Sequence, residues 1–251
     1  MPSDRSEIRI LTDAEEIIQA AAVEFVHQTI ETVQAKGLFT VALSGGSTPK
    51  GLYSLLASDG KPGFRLQVPW NKIHFFWGDE RHVPPDHPDS NYRMAYEAML
   101  SKVTVPPENV HRIKSENPDA GKAAEDYERE LHEFFRLEAG HLPRFDMVLL
   151  GMGADGHTAS LFPRTKVIHE EKRLVVALWV EKLNTYRITL TPAVLNNAAR
   201  VIFLISGEEK AETLRTVLQG SYQPERFPAQ IIRPANGKLL WLIDQSAARL
   251  I

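Results

Sequence analysis

The chain has 251 residues, 43% of them hydrophobic and 24% charged, with 29 basic against 32 acidic side chains, a formal net charge of −3 and no cysteine. A chain of this length hides roughly 70–75% of its unfolded surface, so it can build a full core without covalent staples. The missing cysteines exclude disulfides, thiolate metal sites and a thiol nucleophile. The near-balanced charge leaves no electrostatic footprint for nucleic acid.

The opening stretch, Met1 to Leu11, is charged and lacks an apolar core, so it does not read as a signal peptide. The longest apolar run, Leu174–Val180, falls far short of the about 20 residues a membrane span needs. The expectation is a cytoplasmic chain with no membrane or nucleic-acid partner, folded as a single domain over residues 1–251.

In chain order, Ile17, Ala20, Ala21, Phe25, Ile30 and Val33 recur at helical spacing between Asp13 and Lys36. Asp13 or Thr12 can cap this helix and Gly37 can end it. Phe39–Leu43 is a strand, Ser44–Pro49 a loop, and a helix follows to Leu56. Ile73–Trp77 is the next strand. Helices are predicted over 91–100 and 120–135. Met147–Leu150, Leu174–Val180 and Val201–Ile205 read as buried strands. A helix covers 208–218, and Leu239–Ile243 is a last strand before a short terminal helix. Strands that are apolar throughout and alternate with helices predict an α/β fold: a mostly parallel, Rossmann-like sheet flanked by helices on both faces. Ligands bind at the carboxyl ends of such strands.

Four segments at those ends carry chemistry. Ser44, Gly45, Gly46, Ser47 and Thr48, followed by Pro49, form a candidate phosphate cradle at a helix start, or else a capped tight turn. The loop lacks the spacing of a P-loop. Asp79, Glu80 and Arg81 end the second strand. Arg81 suits bidentate binding of a phosphate, with Asp79 or Glu80 orienting it, acting as an acid or base, or lying behind the groups that meet an oxyanion; a surface salt-bridge cluster is the bland alternative. Gly151, Gly153 and Gly156 match G-x-G-x-x-G literally, but Pro163 cuts short any helix that follows, which excludes a dinucleotide reading. His157 is instead predicted to start a short helix as a general base, with Asp155 holding its ring or capping that helix. No ligand pair for a metal surrounds His157. Lys182 and Arg187 precede a strand-like stretch and can supply positive charge to an anion, or be simply solvated.

Together these segments resemble the 6-phosphogluconolactonase family. The resemblance rests on Leu43-Ser-Gly-Gly-Ser-Thr-Pro49, Trp77-Gly-Asp-Glu-Arg-His-Val83, Ser90-Asn91-Tyr92, Gly151 to Pro163 and Arg187-Ile-Thr-Leu-Thr191. It continues through Pro228-Ala-Gln and Trp241-Leu-Ile-Asp244. It implies hydrolysis of 6-phospho-D-glucono-1,5-lactone without a cofactor, and a fold shared with glucosamine-6-phosphate deaminases and ribose-5-phosphate isomerases. It also implies a functional link to glucose-6-phosphate dehydrogenase in the oxidative pentose phosphate pathway. His157 matches the family's general base, Arg81 an arginine near the phosphate, and Lys182 a lysine usually set in Lys-Pro-Pro. Here Leu183 and Asn184 stand in place of those prolines. Backbone N–H groups of the 151–156 turn, Gly153 and Gly156 among them, or a nearby cation are expected to meet the oxyanion. The rival deaminase pattern has tyrosine at the position of Arg81 and His-Ile-Ala-Phe-Asn from the position of His157. A non-catalytic sugar-phosphate sensor would need the cradle but not the histidine.

Overall fold

The computed structural model describes residues 6–60 and 63–251. Residues 1–5 of the opening stretch and Lys61-Pro62 of the 58–71 loop lie outside the described residues. The strands are β1 (Ser6–Leu11), β2 (Phe39–Leu43), β3 (Ile73–Trp77), β4 (Asp79–Arg81) and β5 (Val110–His111), then β6 (Met147–Leu150), β7 (Val175–Val180), β8 (Thr185–Leu190), β9 (Arg200–Ile205) and β10 (Lys238–Asp244). The helices are α1 (Ala14–Lys36), α2 (Ser47–Leu56), α3 (Phe64–Gln67) and α4 (Asn91–Ala98), then α5 (Ala120–Phe135), α6 (Pro192–Asn196), α7 (Ala211–Gln219) and α8 (Gln245–Ala248).

Seven strands form one parallel sheet in the order β1-β10-β9-β6-β2-β3-β5. Its central strands are buried along almost their whole length, as their unbroken apolarity demands. Phe203 of β9 stacks on Trp241 of β10 at 3.9 Å, bringing large aromatic area to the middle of the core. Asp13 caps α1 by accepting from the Glu16 N–H, and Gly37 closes it in the left-handed region with φ of 86°. No helix among the described residues is long and apolar enough to cross a membrane.

The apolar run Leu174–Val180 behaves differently from its sequence expectation. It enters the second, three-stranded antiparallel sheet, order β4-β8-β7, rather than the main parallel one. Only Val175 and Val180 of β7 are buried, and Trp179 is 48% exposed. One side of the strand packs on α5, and the run also walls an open hollow. Strand β1 gives little sequence signal, because as an edge strand it leaves Ile8 and Ile10 partly in solvent. The helix read over 208–218 begins with a 3₁₀ turn, Glu208–Lys210, before α7.

At the far edge, His111 of β5 is fixed by Glu130 of α5, whose carboxylate lies 2.8 Å from Nδ1. His111 Nε2 lies 3.0 Å from His74 Nδ1. Burial and the neighbouring His111 lower the pKa of His74. A histidine depressed in the folded state binds its proton more readily when unfolded, so stability is present above the unfolded value of about 6.5 and is lost as pH falls below it. Urea midpoints measured from pH 8 to pH 5 are expected to fall for the wild type, and to fall less for His74→Phe.

Candidate active site

The carboxyl ends of β2, β3, β6 and β9 face one side of the molecule. A cavity of about 360 Å³ opens there, walled by the loop after β2, by β4, by the turn after β6, by the β7–β8 hairpin and by Lys210 ahead of α7.

Gly151 to Pro163 forms no helix; it is a run of turns tied by a bridge between Thr158 and Leu161. The short helix expected at His157 is therefore absent, and Asp155 has none to cap. Asp155 instead holds the histidine. Its Oδ1 lies 2.5 Å from His157 Nδ1 and also accepts the His157 backbone N–H at 3.2 Å. Its Oδ2 takes the Lys182 ammonium as an ion pair. Burial works to raise the Asp155 pKa, but the bonds from His157 and Lys182 outweigh it and hold the carboxyl well below the ordinary carboxylate range. An ionised carboxylate only accepts, so the Nδ1–H donates to it, and Nε2 has no hydrogen-bond partner among the described residues. Phe162 stacks on the imidazole at 4.4 Å. Gly153 comes so close that a Cβ there would overlap the ring. Ala159, two residues on, sits at φ of 48°, a conformation costly for a non-glycine residue and common where sites are over-determined.

The expected oxyanion donors Gly153 and Gly156 are already occupied. The Gly153 N–H donates to the His157 carbonyl and the Gly156 N–H to the Gly153 carbonyl, both at 2.9 Å. The turn that orients the imidazole uses these groups to hold its own shape.

The opposite wall is positive. The Ser44 hydroxyl is buried on the cavity and lacks a partner among the described residues. Gly46, at φ of 112°, precedes α2 in a conformation only glycine adopts cheaply, and turns the free N–H groups of the first helical turn toward the cavity. Ser47 and Thr48 begin that turn, while Lys50 is exposed. Arg187 of β8 lies directly across the ladder from Arg81 of β4. Burial lowers the Arg187 pKa and the Arg81 charge lowers it further. No acceptor meets its guanidinium among the described residues, whereas Arg81 donates to the Asp89 carbonyl at 2.8 Å. Like charges opposite each other destabilise a ladder, and an anion between them relieves that cost. Lys210, whose pKa burial lowers, reaches the same cavity and donates to the Ser206 carbonyl at 2.8 Å.

Asp79 and Glu80 divide their work. Asp79 faces the cavity, accepting from Ser160 Oγ at 2.7 Å and from Asn91 Nδ2 at 3.3 Å. Asn91 also packs under the cradle, since a Cβ at Gly45 would overlap its carboxamide. Glu80 points away. Its carboxylate accepts the backbone N–H groups of Arg81, Asn91 and Tyr92 and the Ser90 hydroxyl. Glu80 thus serves the first turn of α4 beside its N-cap Ser90, and forms no ion pair with the Arg81 guanidinium among the described residues; burial raises its pKa against these bonds.

Residues 12–241 match the family model for glucosamine-6-phosphate isomerases/6-phosphogluconolactonase. A Synechocystis 6-phosphogluconolactonase is 42% identical over 241 residues, 96% of each chain. The chain belongs to the glucosamine-6-phosphate isomerase/6-phosphogluconolactonase family. Among solved members, the 6-phosphogluconolactonase of Trypanosoma brucei is 30% identical, superposes with a TM-score of 0.86, and covers 98% of this chain and 99% of its own. A monomeric glucosamine-6-phosphate deaminase, 23% identical, shares the fold with a TM-score of 0.80, covering 98% of this chain and 100% of its own.

In this member of the family the sequence motifs meet at one cavity, which Ser44 to Thr48, Asp79, Arg81, His157, Lys182 and Arg187 all line. Three further residues join them. Lys210 follows Ser206-Gly207-Glu208-Glu209, and its only sequence signal is a glycine between a strand and a helix. Ser160 and Asn91 lie within quoted motifs, but their partner Asp79 is 81 and 12 residues away in sequence. The Glu80 carboxylate sets one measurable expectation. Glu80→Gln turns an amide NH₂ toward backbone donors, so chemical denaturation is expected to show a loss of about 2–3 kcal/mol.

Proposed function

We propose that the chain hydrolyses 6-phospho-D-glucono-1,5-lactone to 6-phospho-D-gluconate. The observation that carries this reading is an imidazole held at Nδ1 by Asp155, its Nε2 without a partner among the described residues, on the same cavity as an arginine that lacks an acceptor among them. His157 Nε2 takes a proton from water as the water oxygen bonds to C1. The tetrahedral oxyanion is met by the cavity's cations. The C1–O5 bond then breaks, and the imidazolium returns its proton to the ring oxygen. The 6-phosphate rests on the Ser44 hydroxyl, the 45–48 N–H groups, Arg187 and Lys210, with Arg81 beside them. The substrate comes from oxidation of glucose 6-phosphate at C1, the glucose-6-phosphate dehydrogenase reaction, in the cytoplasm.

The deaminase reading is disfavoured by Arg81 in place of tyrosine and by Thr158-Ala159-Ser160-Leu161 after His157. A pure sensor has no use for the Asp155–His157 pair. The test generates the lactone in situ with glucose-6-phosphate dehydrogenase and follows its loss by NMR, with ammonia release from glucosamine 6-phosphate measured in parallel. Lactone loss well above background and no ammonia are expected; loss at the background rate overturns the proposal. His157→Ala is expected to lower kcat by about 10²–10⁴-fold. Arg187→Ala is expected to raise KM roughly ten- to a hundredfold with a smaller change in kcat, read from steady-state kinetics.

A further inference from the structure

Lys182 carries a role beyond binding a phosphate. It sits in the Glu181–Leu183 turn at the tip of the β7–β8 hairpin, where Asn184 takes φ of 48° and its N–H closes on the Glu181 carbonyl at 3.1 Å. From there the ammonium touches both supports of the histidine. It pairs with the second carboxylate oxygen of Asp155, and it lies 4.8 Å from the centre of the Phe162 ring that stacks on the imidazole.

We propose that Lys182 is a positioning residue that holds His157 neutral by sharing the charge of Asp155. This rests on the reading of His157 as the general base. A carboxylate beside an imidazole serves two ends that conflict. It orients the ring, but it also stabilises imidazolium, and a base that is already protonated at working pH is idle. A second cation on the same carboxylate removes much of that attraction while leaving the Nδ1–H bond in place. The depression of the Asp155 pKa is consistent with one carboxylate serving two donors. The other charged groups on the cavity wall are Asp79 and Arg81 from β4, Arg187 from β8 and Lys210 ahead of α7, while Arg164, Lys166, Glu170, Glu181 and Arg226 line the adjoining hollow with Asp155. None of these forms an ion pair with Asp155 or His157 among the described residues, whereas Lys182 does. When substrate covers the cavity and water leaves, the coupling strengthens.

The experiment titrates the His157 imidazole by NMR in the wild type, Lys182→Met and Lys182→Arg, beside the pH dependence of kcat/KM. In Lys182→Met the His157 pKa is expected to rise by about one unit, and the acid limb of kcat/KM to move with it. KM is expected to change less than about threefold, and kcat to recover at high pH. Lys182→Arg is expected to follow the wild type. An unmoved His157 pKa in Lys182→Met overturns the proposal, as does a KM rise with no pKa shift, which would make Lys182 a phosphate ligand. A shifted imidazole with an unmoved acid limb overturns His157 as the base, and leaves Lys182 in control of its charge.

Discussion

A parallel sheet buried on both faces spends its backbone hydrogen bonds along its strands, so free polar groups collect where the strands end. The rest of this structure depends on that constraint. Strands β2, β3, β6 and β9 release their chains on the same side, and each exit must turn sharply through loops that solvent can reach. The cradle after β2, the acidic-basic step into β4, and the glycine turn after β6 are three solutions to one exit problem. Their chemistry meets because the strand order places them next to one another.

What joins the exits is polar and buried. Asp79 takes Ser160 from one loop and the Asn91 side chain from α4, and Asn91 fills the space beneath Gly45. Glu80 ties the start of α4 to the end of β4. Such networks, once satisfied, fix one arrangement of the loops and leave little room for another. Groups left without a protein partner among the described residues gather at the cavity: the Ser44 hydroxyl, the first N–H groups of α2 and the Arg187 guanidinium.

Much of this was legible in the sequence, for physical reasons that differ by element. The central strands announce themselves because burial on both faces demands apolarity at every position, as in Phe39–Leu43. The same signal misleads at Leu174–Val180, where an apolar run serves packing on α5 and the wall of an open hollow. Strand β1 is faint because an edge strand is half solvated. Strands of two and three residues, such as β5 and β4, are too short to show a period. At the site, residue types were readable and their partners were not. His157 and Asp155 lie two residues apart, so their pairing can be guessed. Lys182 reaches the same carboxylate across 27 residues and a different sheet. Gly153 and Gly156 look like oxyanion donors in sequence, and only the closed turn reveals that their N–H groups are already taken.

Asn184 bears on how this lineage can change. Its left-handed backbone and its donated N–H are both closed to proline, which fixes φ near −65° and has no N–H. A Lys-Pro-Pro sequence at 182–184 would therefore need a differently shaped hairpin tip. Proline at 184 alone cannot keep the present tip. A designer bringing that proline into this chain should therefore graft the hairpin tip as a unit.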